Sequence, residues 1–254
     1  MDRTEPILID PLLEIMRRLR DPADGCEWDK VQTFETIAPY TIEEAYEVAD
    51  AIKRNDMAAL KDELGDLLLQ VVFHSQIAAD ARQFDFAEVV TAICNKMTRR
   101  HPHIFGEANQ SPGWEQIKAD EREQSGQSSA LDGVALALPA LLRAQKIQKR
   151  AARVGFDWPA KEPVKEKLLE ELEEVAAART DAEVHEEIGD LLFSAVNLAR
   201  HYNVDAERAL ADATNKFTKR FNIVEANLTK NMDDMSIEEL EVEWQKAKAS
   251  LTDS

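Results

Sequence analysis

The hexapeptide pattern Glu-x-Gly-Asp-Leu-Leu occurs twice in this chain, at 63–68 and at 187–192. The segments around it repeat in the same order. "TIEEAYEVADAI" (41–52) aligns with "LLEELEEVAAAR" (168–179), and "DELGDLLLQVVFHSQIA" (62–78) with "EEIGDLLFSAVNLAR" (186–200). "AICNKMTRRHPHIF" (92–105) aligns with "DATNKFTKRFNIVE" (212–225), and "GWEQIKADE" (113–121) with "EWQKAKASL" (243–251). An internal repeat constrains a fold more than any local preference, because each copy must adopt the same supersecondary unit. The reading is a tandem of two helical domains, residues 1–120 and 135–254, joined by a polar linker at 121–134.

The class is expected to be all-α. Only 8 glycines and 9 prolines interrupt 254 residues rich in Ala, Leu, Glu and Lys. Pro102 is expected to end a helix in the first copy, where the matching "KRFNIVEANL" of the second continues. "LPALLRAQKIQKRAARVG" reads as a helix closed by Gly155.

Acidic residues recur at helical spacing. Glu43, Glu44 and Glu47 precede Glu63 and Asp66, and Glu170, Glu171 and Glu174 precede Glu187 and Asp190. Spacings of three and four place such groups on one helix face. A turn between the two acidic helices of each copy lets them pack antiparallel, so their acids can meet. The helix beginning at 62 is ringed by Leu64, Leu67, Leu68, Leu69, Val71, Val72 and Phe73 and is expected to be buried. Glu63, Asp66, Gln70 and His74 nevertheless form one polar stripe on it, traced again by Glu187, Asp190, Ser194 and His201. Two carboxylates about 6 Å apart at an effective dielectric of about 20 repel by roughly 3 kcal/mol. Such a cluster must protonate, splay or hold a cation. Oxygen-only ligation suits a hard ion, Mg²⁺ first and Mn²⁺ second. Gly65 and Gly189 each cost a helix roughly 1 kcal/mol relative to Ala, so close helix packing or ligand access must compensate.

Basic and aromatic residues recur as well. Lys216 and Arg220 are i, i+4 neighbours, with Lys96, Arg99 and Arg100 in matching places. Trp244 and Lys248, again four apart, match Trp114 and Lys118. Trp158 and Lys167 stand just before the second acidic helix and are further nucleotide-binding candidates.

The formal net charge of −18 disfavours duplex nucleic acid, whose binding needs phosphate neutralisation. No stretch has the apolar length of a membrane span, and a soluble cytoplasmic protein is expected. Cys26 and Cys94 fit no ligand spacing. A phosphate-binding G-x-x-x-x-G-K-[ST] loop, a His-Asp dipeptide and Glu-x-x-His pairs are all missing, which disfavours P-loop, His-Asp and di-iron chemistry.

The segments "CEWDKVQTF", "EEAYEV", "DELGDLLLQVVFHSQIA", "KIQKRAARVGFDW", "EEIGDLLFSAVNLAR" and "NKFTKRF" together resemble the MazG family of nucleoside triphosphate pyrophosphohydrolases. The resemblance covers nearly the whole chain. It implies a fold of helical bundles assembled as a homodimer. It also implies Mg²⁺-dependent cleavage of nucleoside triphosphates to monophosphate and pyrophosphate, with broad tolerance of base and sugar. By position it makes Glu171, Glu174, Glu187 and Asp190 metal ligands in the second copy, and Glu44, Glu47, Glu63 and Asp66 in the first. Lys216 and Arg220 would meet the phosphates, and Trp244 with Lys248 would close the nucleotide site. Glu170, beside the ligands, is a candidate general base. The first copy departs at "HPHIFG", so the second is expected to carry the main site. A nucleotide-binding scaffold without turnover and a narrow dUTP or dCTP pyrophosphatase are the alternatives.

Overall fold

The computed structural model describes residues 9–106, 113, 117, 129–228 and 230–251. The chain divides into two compact units, Met1–Ile117 and Lys118–Ser254. Among the described residues every regular element is helical.

The first unit contains α1 (Asp10–Leu19), α2 (Phe34–Arg54), α3 (Met57–Asp80), α4 (Phe86–Arg100) and the single turn α5 (Pro102–Phe105). Its centre is the α2–α3 hairpin. Thr33 caps α2 by accepting from the Thr36 amide, and Asn55 ends it in the left-handed conformation at φ 56°. Asp56 then caps α3 by accepting from the amides of Ala58 and Ala59. A connection this short leaves the two helices no arrangement except antiparallel neighbours. Met16, Ile37, Val72, Phe73 and Ile77 form the core beneath the hairpin. Arg20 fastens its edge: Nε donates to Asp80 at 2.8 Å, Nη1 donates to the Asp29 carbonyl at 2.6 Å, and the guanidinium lies over Phe73. Pro102 separates α4 from α5, as expected of a residue without an amide proton.

The second unit contains α6 (Ala140–Arg153), α7 (Lys161–Ala177), α8 (Asp181–His201), α9 (Ala206–Asn227) and α10 (Ile237–Ser250). Gly155, at φ +88°, follows α6 and supplies the left-handed turn that sends the chain back. The α7–α8 hairpin repeats the design of α2–α3. Thr180 caps α8 and Glu183 reaches back to the amides of Thr180 and Arg179. Helix α9 packs on α6 and α8, and α10 packs on α9. Two glutamines of α6 hold the neighbouring backbone: Gln145 donates to the Val204 carbonyl and accepts from the Ala206 amide, and Gln148 donates to the Phe193 carbonyl.

The expectation that the helix after residue 62 is buried on all sides needs correction. Gln70, Val72, Phe73, Ser75, Ile77 and Ala78 of α3 are buried, but Leu64, Leu68 and Val71 are exposed. The same split occurs on α8, where Ile188, Leu192 and Phe193 are exposed. Among the described residues of the first unit the hairpin packs on α1 and α4 through α3, and these apolar side chains stay exposed. Close packing does not explain the two glycines either. A Cβ at Gly65 or Gly189 would meet no heavy atom within 4 Å.

No helix among the described residues is long and apolar enough to cross a membrane. Both cysteines are free and exposed.

Candidate functional site

Each hairpin brings acids from its two helices together. In the first unit, carboxylate oxygens of Glu44 and Glu47 on α2 and Glu63 on α3 all lie within 4.8 Å of one another. In the second, the trio is Glu171 on α7 with Glu187 and Asp190 on α8, under the same limit. Oxygens that share one hard cation at about 2.1–2.6 Å lie at most roughly twice that distance apart. The donor chemistry and spacing of both trios fit such an ion.

The two trios are not the same set. In the first unit Asp66 stands outside the group, and in the second Glu174 does. Both remain electrostatically close. Partial burial, followed by the charges of Asp66 and Glu47, raises the Glu44 carboxyl above its ordinary range. Glu63 is raised by desolvation and then by Glu47 and Asp66. Glu174 is raised by desolvation and by its hydrogen bond with Glu171, with Lys167 opposing the rise.

Lys167 separates the two sites most clearly. Its Nζ lies 2.8 Å from Glu171 Oε1, 2.9 Å from Glu170 Oε1 and 3.9 Å from Glu174 Oε2. Hydrogen bonds to Glu171 and Glu170 raise the lysine above its ordinary value. A cation is one of the ways such a cluster is relieved of repulsion, and the sequence itself supplies one here. Glu171 is only 4% exposed, so it especially needs that neighbour. In the first unit the aligned position is Tyr40, which carries no charge to offer.

The polar stripe also finds partners. His74 shares a 2.9 Å hydrogen bond with the Thr41 hydroxyl and stacks on Phe34, and burial lowers its basicity. His201 contacts Asp157, which is clamped by Arg200 from the same helix and held below the usual carboxylate range by it.

Lys216, Arg220, Trp244 and Lys248 lie on the α9–α10 pair. The structure brings Arg220 and Trp244 together, with the guanidinium 5.8 Å from the indole centre. The Phe217 ring also packs on Trp244, with ring centroids 5.1 Å apart. Arg220 Nε is buried and has no hydrogen-bond partner among the described residues. Lys216 and Lys248 are exposed, each one turn from this cluster on its own helix. The acids therefore occupy α7–α8 and the basic–aromatic cluster α9–α10. In the first unit Lys96, Arg99 and Arg100 lie toward the end of α4; Trp114 and Lys118 fall outside the described residues.

The sequence reading passed over Gln148 and Asn197, polar side chains that are 7% exposed. Their signal was polarity at apolar helical positions, which reads as surface until the neighbouring helix is placed.

Comparison with known proteins joins these observations to one family. The model of the MazG nucleotide pyrophosphohydrolase domain matches residues 32–105 and 160–224, which contain the two acidic hairpins. The nucleoside triphosphate pyrophosphohydrolase of Escherichia coli (strain K12) is 51% identical over 254 residues, covering 94% of this chain and 97% of that protein. The nucleoside triphosphate pyrophosphohydrolase/pyrophosphatase MazG of Thermotoga maritima is 46% identical over 250 residues, covering 95% and 96%. With both acidic hairpins inside the matched segments and this similarity running almost end to end, the chain belongs to the MazG nucleotide pyrophosphohydrolase family.

Proposed function

We propose that this chain hydrolyses nucleoside triphosphates to the monophosphate and pyrophosphate, with Mg²⁺ or Mn²⁺ held by Glu171, Glu187 and Asp190 and by Glu174 beside them. The observation that carries the reading is the convergence of three carboxylates from two helices within 4.8 Å, one of them buried. The activity named for the relatives supports it. When bound, the ion neutralises phosphate charge and lowers the pKa of an attacking water. Glu170, next to Glu171 in the chain and 57% exposed, would be the general base of this reading. Lys167, held among these carboxylates, would supply an ammonium to the substrate's phosphate oxygens. Lys216 and Arg220 counter charge on the leaving pyrophosphate, and Trp244 with Lys248 closes over the nucleotide.

The second unit is the main site in this reading, and Glu44, Glu47, Glu63 and Asp66 form a second, weaker metal site. The domain limits 1–120 and 135–254 are part of the same proposal. So is a homodimer, supported by exposed Leu169 and Leu172 on α7 and Ile188 and Leu192 on α8.

The test is product analysis of a mixed triphosphate panel with and without Mg²⁺. Glu187→Gln and Asp190→Asn should each abolish pyrophosphate release and weaken Mg²⁺ binding measured by calorimetry. Full turnover by either purified variant would refute this site. Nucleotide binding without products would make the chain a scaffold, and activity confined to dUTP or dCTP would refute the broad specificity.

A further inference from the structure

The acids of the first unit are met by no cation of the chain. Among the described residues no lysine or arginine forms an ion pair with Glu44, Glu47, Glu63 or Asp66, and the basic side chains nearby turn elsewhere: Arg54 to Asp50 and Asp56, and Lys61 to Asp62. The repeat shows what such a group accepts. Lys167 stands four residues before Glu171, and its ammonium rests on Glu171 at 2.8 Å and on Glu170 at 2.9 Å. Tyr40 stands four residues before Glu44 and offers no charge. The place of an ammonium in one copy is thus left to an outside ligand in the other.

Gln70 points to that ligand independently. Across the α2–α3 hairpin, Glu47 is the strongest like charge on Glu63, and Asp66 the strongest on Glu44. The same antiparallel register, continued by one turn, sets Gln70 opposite Tyr40. Gln70 is 7% exposed, and its Oε1 is buried with no hydrogen-bond partner among the described residues. Long helical side chains lean toward the preceding turn, which here carries Asp66. A buried acceptor left unmatched costs free energy that a donor-bearing ligand would recover.

The aromatic residues narrow the chemistry. Tyr40 is 41% exposed and Trp28 meets it nearly at right angles, with ring centroids 6.0 Å apart. Trp28 is braced in turn on Phe73. An exposed ring held beside carboxylates attracts an organic cation, whereas Mg²⁺ keeps its water and gains little from such a face. Carboxylates, an amide oxygen and ring faces all receive positive charge or N–H donors, so a bare phosphate is repelled here. One ammonium among the acids leaves Gln70 and Tyr40 about one turn further along, about 5.4 Å. A short aliphatic diamine reaches both places.

We infer that the first unit binds an aliphatic diammonium ion of the polyamine class. One ammonium lies among Glu44, Glu47 and Glu63, as that of Lys167 lies among its acids, and the other donates to Gln70 Oε1 against Tyr40. The inference goes beyond the metal site proposed for these carboxylates, because the organic cation and a divalent ion would exclude one another. The first copy then has a ligand of its own, different in charge from the triphosphate proposed for the second.

The experiment is calorimetry on the whole chain, stripped of metal and held at neutral pH in chelator-free buffer. The titrants are putrescine, its bis(trimethylammonium) analogue (the same charge and spacing without N–H) and Mg²⁺. Putrescine should bind at a single site per chain, at least about tenfold more tightly than the analogue, which cannot donate. Gln70→Leu should raise the putrescine Kd about tenfold, the scale of one hydrogen bond to a charged group, and Tyr40→Leu about threefold. Tyr40→Lys supplies the ammonium from the chain and should abolish binding, while Asp190→Asn in the second unit should leave it unchanged. Gln70→Leu removes an unmatched buried acceptor and Tyr40 lies at the surface, so these variants fold, as circular dichroism would verify. Equal affinity for the two diammonium ions would overturn the assignment, because charge alone would then be at work. So would undiminished binding in Tyr40→Lys, or loss of binding in Asp190→Asn, which would put the amine in the second unit. Binding of Mg²⁺ but not of putrescine by Asp190→Asn would also overturn it and leave the metal site of Glu44, Glu47 and Glu63 standing.

Discussion

Replacing Gly189 by alanine tests the hairpin directly. Gly189 lies inside α8, between Glu187 and Asp190 of the acidic trio, and a Cβ there would meet nothing within 4 Å. Glycine in a helix interior is less favourable than alanine by about 0.8–1 kcal/mol, because it loses more backbone freedom on folding. With no steric term to subtract, Gly189→Ala should stabilise the protein by about that amount, or about 2–4 °C in Tm for a chain of this size. Gly65→Ala in α3 should do the same in the first unit, since its surroundings are equally open. Urea unfolding of metal-free protein, followed by circular dichroism, measures both. A cost without a packing reason leaves access to the neighbouring acids as the function of Gly189. Turnover should therefore fall in Gly189→Ala while stability rises. A lower midpoint in either variant would refute the open-backbone reasoning and show that another surface, such as a second copy, closes on that helix.

Three further outcomes follow from the electrostatics. In EDTA, Asp190→Asn should melt no lower than the parent, because it relieves repulsion within the trio; with Mg²⁺ the parent should gain stability and the variant should not, as calorimetric scans at fixed protein concentration would show. Glu44 and Glu63 have carboxyls raised above the ordinary 4.5, so the stability carried by their protonated forms is present below 4.5 and lost as pH rises through the raised values. The Tm of metal-free protein should accordingly rise as pH falls from neutrality toward 4.5, and Glu44→Gln should flatten that slope. Asp157 works in the opposite sense: its contribution is present above 3.8 and lost as pH falls through its lowered value, so the two effects occupy separate windows. Arg200→Ala removes the clamp on the 154–158 turn and should cost about 2 kcal/mol by urea unfolding, the scale of charge-assisted hydrogen bonds that are largely shielded.

Much of the site was legible because helical period and duplication act on the same residues. The spacing of Glu44 and Glu47 fixes one face of α2, and the turn residues Asn55 and Asp56 fold α3 back onto it. Which acids form each trio was not legible. Asp66 and Glu174 satisfy the spacing as well as their neighbours do, yet each lies just outside the close group. Helical spacing sets the face on which an acid lies but not which carboxylate oxygens turn toward one another. Lys167 was legible as a nearby cation but not as the partner of Glu170 and Glu171 at hydrogen-bond distance.

By itself the sequence determined the repeated helical unit, the turn chemistry that makes each hairpin and the helix faces on which the acids gather, because these depend on periods and caps within a few residues. Only the tertiary structure decided which apolar faces stay exposed among the described residues, that Lys167 sits among the carboxylates, and that Gln148 keeps a buried acceptor. Those outcomes depend on contacts between residues far apart in the chain, where the packing of one helix on another sets what each polar atom finds to pair with.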